Sequence, residues 1–169
     1  VGGEKFGLAV FDAGGDYRNY KSNSSCAAGT GSFLEQQARR LNIPDIQSFS
    51  RIAESNRGNI PGIASRCAVF AKTDLIHAQQ EGYSLAGICD GLCRGLAKSI
   101  SDTLFGNEKI IAPIIMAGGV SKNRAVVQHL SSMTGEEIIV SEHSHIFGAI
   151  GCALLYIEEL EAGKINSSL

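Results

Sequence analysis

At 169 residues, 44% of them hydrophobic and 19% charged, the chain is long enough to bury a core and too apolar for intrinsic disorder. A formal net charge of −2 offers no cationic field to a nucleic acid, and no apolar run approaches the roughly 20 residues that cross a bilayer. Five cysteines, an odd number, point to reduced thiols or metal ligation rather than a disulfide framework. No basic-then-apolar leader opens the chain, so it reads as cytoplasmic, with neither nucleic acid nor membrane as partner. Its abrupt start on Val1-Gly2-Gly3-Glu4, directly ahead of a strand-like run, reads as the edge of a piece of a longer polypeptide.

In chain order, Phe6 to Phe11 and Tyr17 to Lys21 flank the turn cluster Asp12-Ala13-Gly14-Gly15-Asp16, which predicts a β-hairpin. Ser25-Cys26-Ala27-Ala28-Gly29-Thr30-Gly31 then leads into a helix from near Ser32 to Leu41, with Phe33, Leu34, Gln37, Ala38 and Leu41 at helical spacing. Exposed amides at such a helix start suit a phosphate, and the thiol suits a soft metal or an iron–sulfur cluster if other cysteines reach the same point. A small-residue turn with Ser32 and Glu35 as a capping box explains the same letters equally well.

Pro44 breaks that helix, a short one follows over about Ile46 to Ser55, and Asn56 to Gly62 makes an irregular loop. Further helices are predicted from near Val69 to before Gly82 and from Ser84 to Leu104, the second with Cys89 and Cys93 beside an apolar stripe. Ile110 to Ala117 is a continuous apolar run suited to a strand buried on both faces. Gly118-Gly119-Val120-Ser121 turns it into a helix over Asn123 to Met133, then a strand at Glu137 to Val140 and a closing helix over Ile146 to Leu160. The order β-β-α-α-α-α-β-α-β-α is that of an α/β domain over 1–162 with a tail over 163–169. A buried strand, paired glycines and a helix start are where α/β folds bind nucleotides, although a plain turn has the same pattern. Gly2-Gly3, Gly29-Thr30-Gly31 and Gly118-Gly119 make three such loops in one short chain.

Taken in order, Gly2-Gly3-Glu4, the run from Asn23 through Cys26-Ala27-Ala28-Gly29-Thr30-Gly31 to Leu34, Ser65-Arg66-Cys67 through Ala71, and Gly118-Gly119-Val120 to Asn123 resemble the BadF/BadG/BcrA/BcrD family. That family holds the ATPase activators of 2-hydroxyacyl-CoA dehydratases and subunits of benzoyl-CoA reductase. The resemblance implies the second, ribonuclease-H-like half of an actin/Hsp70/sugar-kinase ATPase fold, whose two halves close around ATP. It places Gly2, Gly3 and Glu4 in a phosphate loop with Glu4 as the catalytic carboxylate, Gly29, Thr30 and Gly31 against phosphate, and Gly118, Gly119 and Asn123 at the adenosine. It implies Mg2+ with ATP or ADP, and Cys26 and Cys67 as ligands of a [4Fe-4S] cluster shared across a homodimer. The implied partners are a CoA-ester dehydratase or reductase and a ferredoxin or flavodoxin as electron donor.

Two departures stand out. Lys5 occupies a position where the family commonly has an acid, and Lys72-Thr73-Asp74 follows the second cysteine where the activators usually carry Glu-Ser-Glu. Cys89 and Cys93, four apart, read as small buried hydrophobes more readily than as a metal clamp, and Cys152 reads as core. His143 and His145 lack a third ligand, Asp74 and His77 read as a surface pair, and Lys98 with Asp102 as an i,i+4 pair. Two rival functions remain on these residues: a sugar-kinase-like phosphotransferase half-domain, and a non-enzymatic cluster or dimerisation module.

Overall fold

The computed structural model describes residues 1–23, 30–64, 67–106 and 110–164. Strands β1 (Gly7–Phe11) and β2 (Tyr17–Ser22) pair antiparallel, Gly7 opposite Ser22, with the register slipping between Val10 and Phe11. Asp12 organises the turn between them. Its carboxylate accepts the amides of Gly14 at 2.9 Å and Asp16 at 3.0 Å and meets the Arg18 guanidinium. These donors, the Asp16 amide foremost, hold its pKa below the usual aspartate value.

Helix α1 (Gly31–Arg40) starts from Thr30, so Ser32 lies inside the helix and the expected Ser32–Glu35 capping box is not formed. It buries Phe33, Leu34, Gln37 and Ala38 and leaves Arg39 and Arg40 in its wet last turn, where they complement the helix dipole. Asn42, at φ 55°, ends it in the left-handed region that asparagine tolerates. Helix α2 (Ile46–Glu54) is capped by Asp45, which accepts the Ser48 amide at 2.6 Å. Helix α3 (Ala68–Gln80) starts from Cys67, and helix α4 (Leu85–Leu104) from Ser84, whose hydroxyl accepts the Gly87 amide at 3.0 Å.

Helix α4 is the core. Ile88, Leu92, Leu96 and Ile100 form its fully buried stripe, and α2 and helix α5 (Arg124–Thr134) pack against it. Strands β3 (Ile114–Ile115) and β4 (Ile138–Ile139) pair in parallel, extended by the Met116 amide donating to the Ile139 carbonyl at 2.9 Å. The strand expected over Ile110–Ala117, sealed on both faces, is thus far shorter and half open: Ile114 and Ile138 are buried, but Ile115 and Ile139 are exposed and Ile111 is 77% exposed. Pro113 has no N–H to donate, so pairing begins after it, and among the described residues nothing covers the outer face. Helix α6 (Phe147–Glu161) closes the chain with no buried residue. No described helix is long and apolar enough to cross a membrane.

Candidate functional site

The glycine segments, far apart in sequence, meet in space. The Ser32 amide donates to the Gly3 carbonyl at 3.0 Å, tying the start of α1 to the first turn, and the Val120 amide donates to the Val1 carbonyl at 3.1 Å. Three glycines permit this approach. A Cβ on Gly2 would sit 3.2 Å from the Gly119 nitrogen, one on Gly31 3.0 Å from Val120 Cγ2, and one on Gly118 would collide with the Val1 carbonyl. Gly118 also holds φ 97°, where a side chain is strained. Gly3 and Gly119 do the opposite: a Cβ on either would meet nothing within 4 Å. Close packing on one side and bare backbone on the other make a cradle, with the first amides of α1 at its edge.

The loop after β3 is locked from inside by its own residues and by Ser144, which lies outside the motif. Gly118 donates its amide to the Ser144 carbonyl at 2.7 Å, and the Ser121 hydroxyl donates to the Gly118 carbonyl at 2.7 Å. Ser144 Oγ lies 2.6 Å from Ser121 Oγ and, since Ser121 has spent its one proton, donates to it. Ser144 stands in the short 3-10 turn Ser144–Ile146 between two histidines, and nothing in the sequence marks it. Asn123 caps α5, accepting the Val126 amide at 3.2 Å. Its amide group also faces Cys93 Sγ at 3.5 Å, while Ser50 Oγ, 2.9 Å from Glu54 Oε1 and 3.2 Å from Asn123 Oδ1, divides its proton between two acceptors.

Of the residues singled out from sequence, Gly2, Gly3, Gly31, Gly118 and Gly119 come together. Glu4 is exposed in the two-residue turn closed by Gly2 and Lys5. Thr30 is fully buried and Asn123 is 4% exposed. In the ligand-free chain their side chains therefore lie behind the loop backbone, Thr30 at the start of α1 and Asn123 at the start of α5. Gly29 and Cys26 lie outside the described residues.

Cys67 is half-buried and unpaired by disulfide at the start of α3, a position whose dipole complements a ligated thiolate. Cys89 and Cys93 are fully buried, as expected of core residues. Burial pushes the Cys89 thiol up to about 12 and Cys93 higher still, so both stay protonated at neutral pH and neither is a ready metal ligand. Cys152, expected in the core, is exposed on α6, because α6 has no cover among the described residues. Asp74 turns not to His77 but to the Ala64 amide, which it accepts at 2.8 Å. Lys98 and Asp102 form the expected pair at 3.1 Å. Among the described residues, no group of three or more His, Cys, Asp or Glu side chains is placed to hold a metal ion.

Residues 2–156 match the BadF/BadG/BcrA/BcrD ATPase family. The chain belongs to that family. Among its BadF/BadG/BcrA/BcrD relatives, the 2-hydroxyisocaproyl-CoA dehydratase activator of Clostridioides difficile is 30% identical over 164 residues, 97% of this chain and 60% of the relative. The activator of lactoyl-CoA dehydratase of Anaerotignum propionicum is 31% identical over 160 residues, 94% of this chain and 60% of the relative. The solved structure of the activator of the 2-hydroxyisocaproyl-CoA dehydratase from Clostridium difficile with bound ADPNP superposes with a TM-score of 0.87 at 30% identity, covering 100% of this chain and 63% of that one. The fold is that of the actin/Hsp70-like ATPases, and the chain spans about 60% of the length of these relatives.

Proposed function

We propose that this chain is the nucleotide-binding half of an ATP-dependent electron-transfer activator serving a 2-hydroxyacyl-CoA dehydratase or a benzoyl-CoA reductase-type enzyme. The observation that carries the reading is the cradle: three glycine segments converge, and the two glycines left bare, Gly3 and Gly119, open on the same junction. Membership of an ATPase family and likeness to an activator with bound ADPNP support it. In this reading the amides of Gly3 and Gly31 hold phosphates, Gly2, whose own amide is donated to the Lys5 carbonyl, and Gly118, packed on Val1, bring the loops close enough to do so, and the bare backbone at Gly119 receives the adenosine. Glu4, exposed at the tip of the first turn, orients the attacking water. Thr30, Ser121, Ser144 and Asn123 fix the backbone so that the cradle is formed before the ligand arrives.

When bound, ATP with Mg2+ supplies the driving force and a [4Fe-4S] cluster supplies the one-electron chemistry. Cys67, accessible at a helix start, fits a cluster ligand, and with Cys26 and the same two thiols of a second subunit it completes a four-thiolate set. The intact activator then comprises this chain, the complementary half that closes the cleft, a homodimer partner and a ferredoxin or flavodoxin as donor.

Gly119→Val tests the cradle. A Cβ there meets no atom of the protein within 4 Å, so the melting temperature should stay within a degree or two while ADP affinity, measured by calorimetry, falls at least about tenfold. Unchanged affinity would remove the nucleotide assignment. Anaerobic iron and sulfide analysis tests the thiols: loss of iron in Cys67→Ser supports the cluster, whereas colourless wild-type protein favours a phosphotransferase half-domain.

A further inference from the structure

Helix α4 touches two functional segments with two different faces. Gly87, Gly91 and Gly95 repeat every four residues, and Cys89 and Cys93 stand two positions on from Gly87 and Gly91, roughly 200° round the helix. On the glycine face lies the segment that runs from Asn59 to Ala64 toward Cys67. A Cβ on Gly87 would sit 2.7 Å from the Asn59 carbonyl, and one on Gly91 3.1 Å from both the Pro61 ring and its carbonyl. On the opposite face Cys93 meets Asn123, the last residue of the Gly118–Asn123 loop.

Asp90 joins the two sides directly. Its carboxylate accepts from the Asn56 amide group at 3.0 Å, just ahead of the Asn59–Ala64 segment, and lies 2.6 Å from His129 Nε2 on α5, the helix that the nucleotide loop feeds. At its far end the segment is fastened by the Ala64 amide to Asp74 of α3, and Cys67 begins α3. From Asn123 to Cys67 every step is thus a hydrogen bond or a backbone contact too tight to admit a methyl group without adjustment.

We infer that α4 is the mechanical link between the Gly118–Asn123 loop and Cys67, with Gly91, Asp90 and Cys93 as positioning residues on its two faces. The functional meaning rests on the reading above, in which the loop senses nucleotide and Cys67 ligates the cluster. The link itself is a property of the packing. A displacement of α5 by a ligand at the loop moves α4, and the glycine face carries that movement to the segment lying on it, because a close-packed interior transmits small shifts rather than absorbing them.

Hydrogen exchange on the ligand-free 169-residue chain tests the link without nucleotide or cluster. The amides of Val120, Ser121 and Asn123 are all hydrogen-bonded, so their exchange reports on the loop. Gly91→Ala should speed exchange several-fold both in residues 59–64 and, across the helix, at those three amides, leaving the β1–β2 hairpin unchanged. Gly95→Ala is the control: its Cβ comes only to 3.5 Å from the Ile63 carbonyl, an ordinary contact, and neither region should change. A response confined to residues 59–64, or equal in every element, overturns the proposal. Should Gly91→Ala not fold, Cys93→Ala reads the link from the other face: the rate of maleimide labelling at Cys67, resolved by mass spectrometry, should shift at least twofold, and an unchanged rate overturns it. Adding ADP separates the two readings. Binding that leaves Cys67 labelling unchanged overturns the link alone, and absence of binding overturns the nucleotide assignment while the ligand-free exchange still decides the link.

Discussion

Helix α6 is more apolar in sequence than the helices around α4, yet the two regions have opposite fates. In the first region Ile88, Leu92, Leu96 and Ile100 are sealed between α2 and α5, and even the polar groups there, Asn123, Ser50 and Asp90, have partners. In the second, Leu154, Leu155 and Ile157 on α6 and Ile115 and Ile139 on the small parallel sheet all face outward, Leu155 at 63% exposure. A helix apolar on every side is the kind found inside proteins, and parallel strands are ordinarily covered on both faces. The difference teaches that, among the described residues, the scaffold behind the glycine cradle is closed on all sides while α6 has no cover.

The largest test of that contrast is truncation at matched residues. Leu92→Ala removes a side chain that is 1% exposed and should cost about 2–5 kcal/mol in urea unfolding, while Leu155→Ala should stay within about 0.5 kcal/mol. Equal costs would mean that α6 is covered after all and the contrast is false.

A second test uses the two buried thiols of the α4 region. Cys89 and Cys93 start from an ordinary value of 9.0 and are raised by burial, Cys89 to about 12. An acid raised in the folded state is protonated there while the unfolded chain has already lost its proton, so the unfolded chain binds fewer protons and stability falls as pH rises. The contribution is complete below about pH 9 and declines between about 9 and 12, by about 1.4 kcal/mol per pH unit per thiol. Cys89→Ala should flatten that alkaline slope by one thiol. Cys152→Ala, on exposed α6, should leave it alone. A slope insensitive to Cys89 would show that the thiol is not sealed.

The same contrast explains what could be read from sequence and what could not. The helices were legible because their apolar positions recur at helical spacing, and the cradle because glycine is the residue that permits backbones to touch. Cys152 was placed in the core because its neighbours are apolar; a pattern states that a face is to be covered, not which chain covers it. The strand at Ile114–Ile115 is shorter than its letters suggest for the same reason, since Ile110, Ile111, Ile114 and Ile115 look alike in sequence, but Ile114 is buried, Ile110 only partly so against the core, and Ile111 and Ile115 are exposed. Thr30 and Asn123 belong to the loops that the motifs marked, yet a motif does not say which side of a loop its side chains take. Ser144 had no signal, because a serine that locks a distant backbone looks like any loop serine until the chain is folded.

Ser144 is where the two regions join, and it gives the smallest effect. Its hydroxyl is 2% exposed against Ser121, while Ile146, two residues on at the threshold of α6, is exposed. Ser144→Ala removes one buried hydroxyl pair but leaves the Ser144 carbonyl to hold the Gly118 amide and Ser121 free to keep its bond to the Gly118 carbonyl. The expected cost is about 1 kcal/mol. If the cradle is preformed as argued, ADP binding should weaken about two- to fivefold through the loosened loop, and Ser121→Ala, which cuts the loop's own bond to Gly118 as well as the hydroxyl pair, should weaken it further. The reverse order, Ser144 mattering more than Ser121, would place the decisive lock on the α6 side of the joint and make the boundary between the regions part of the site.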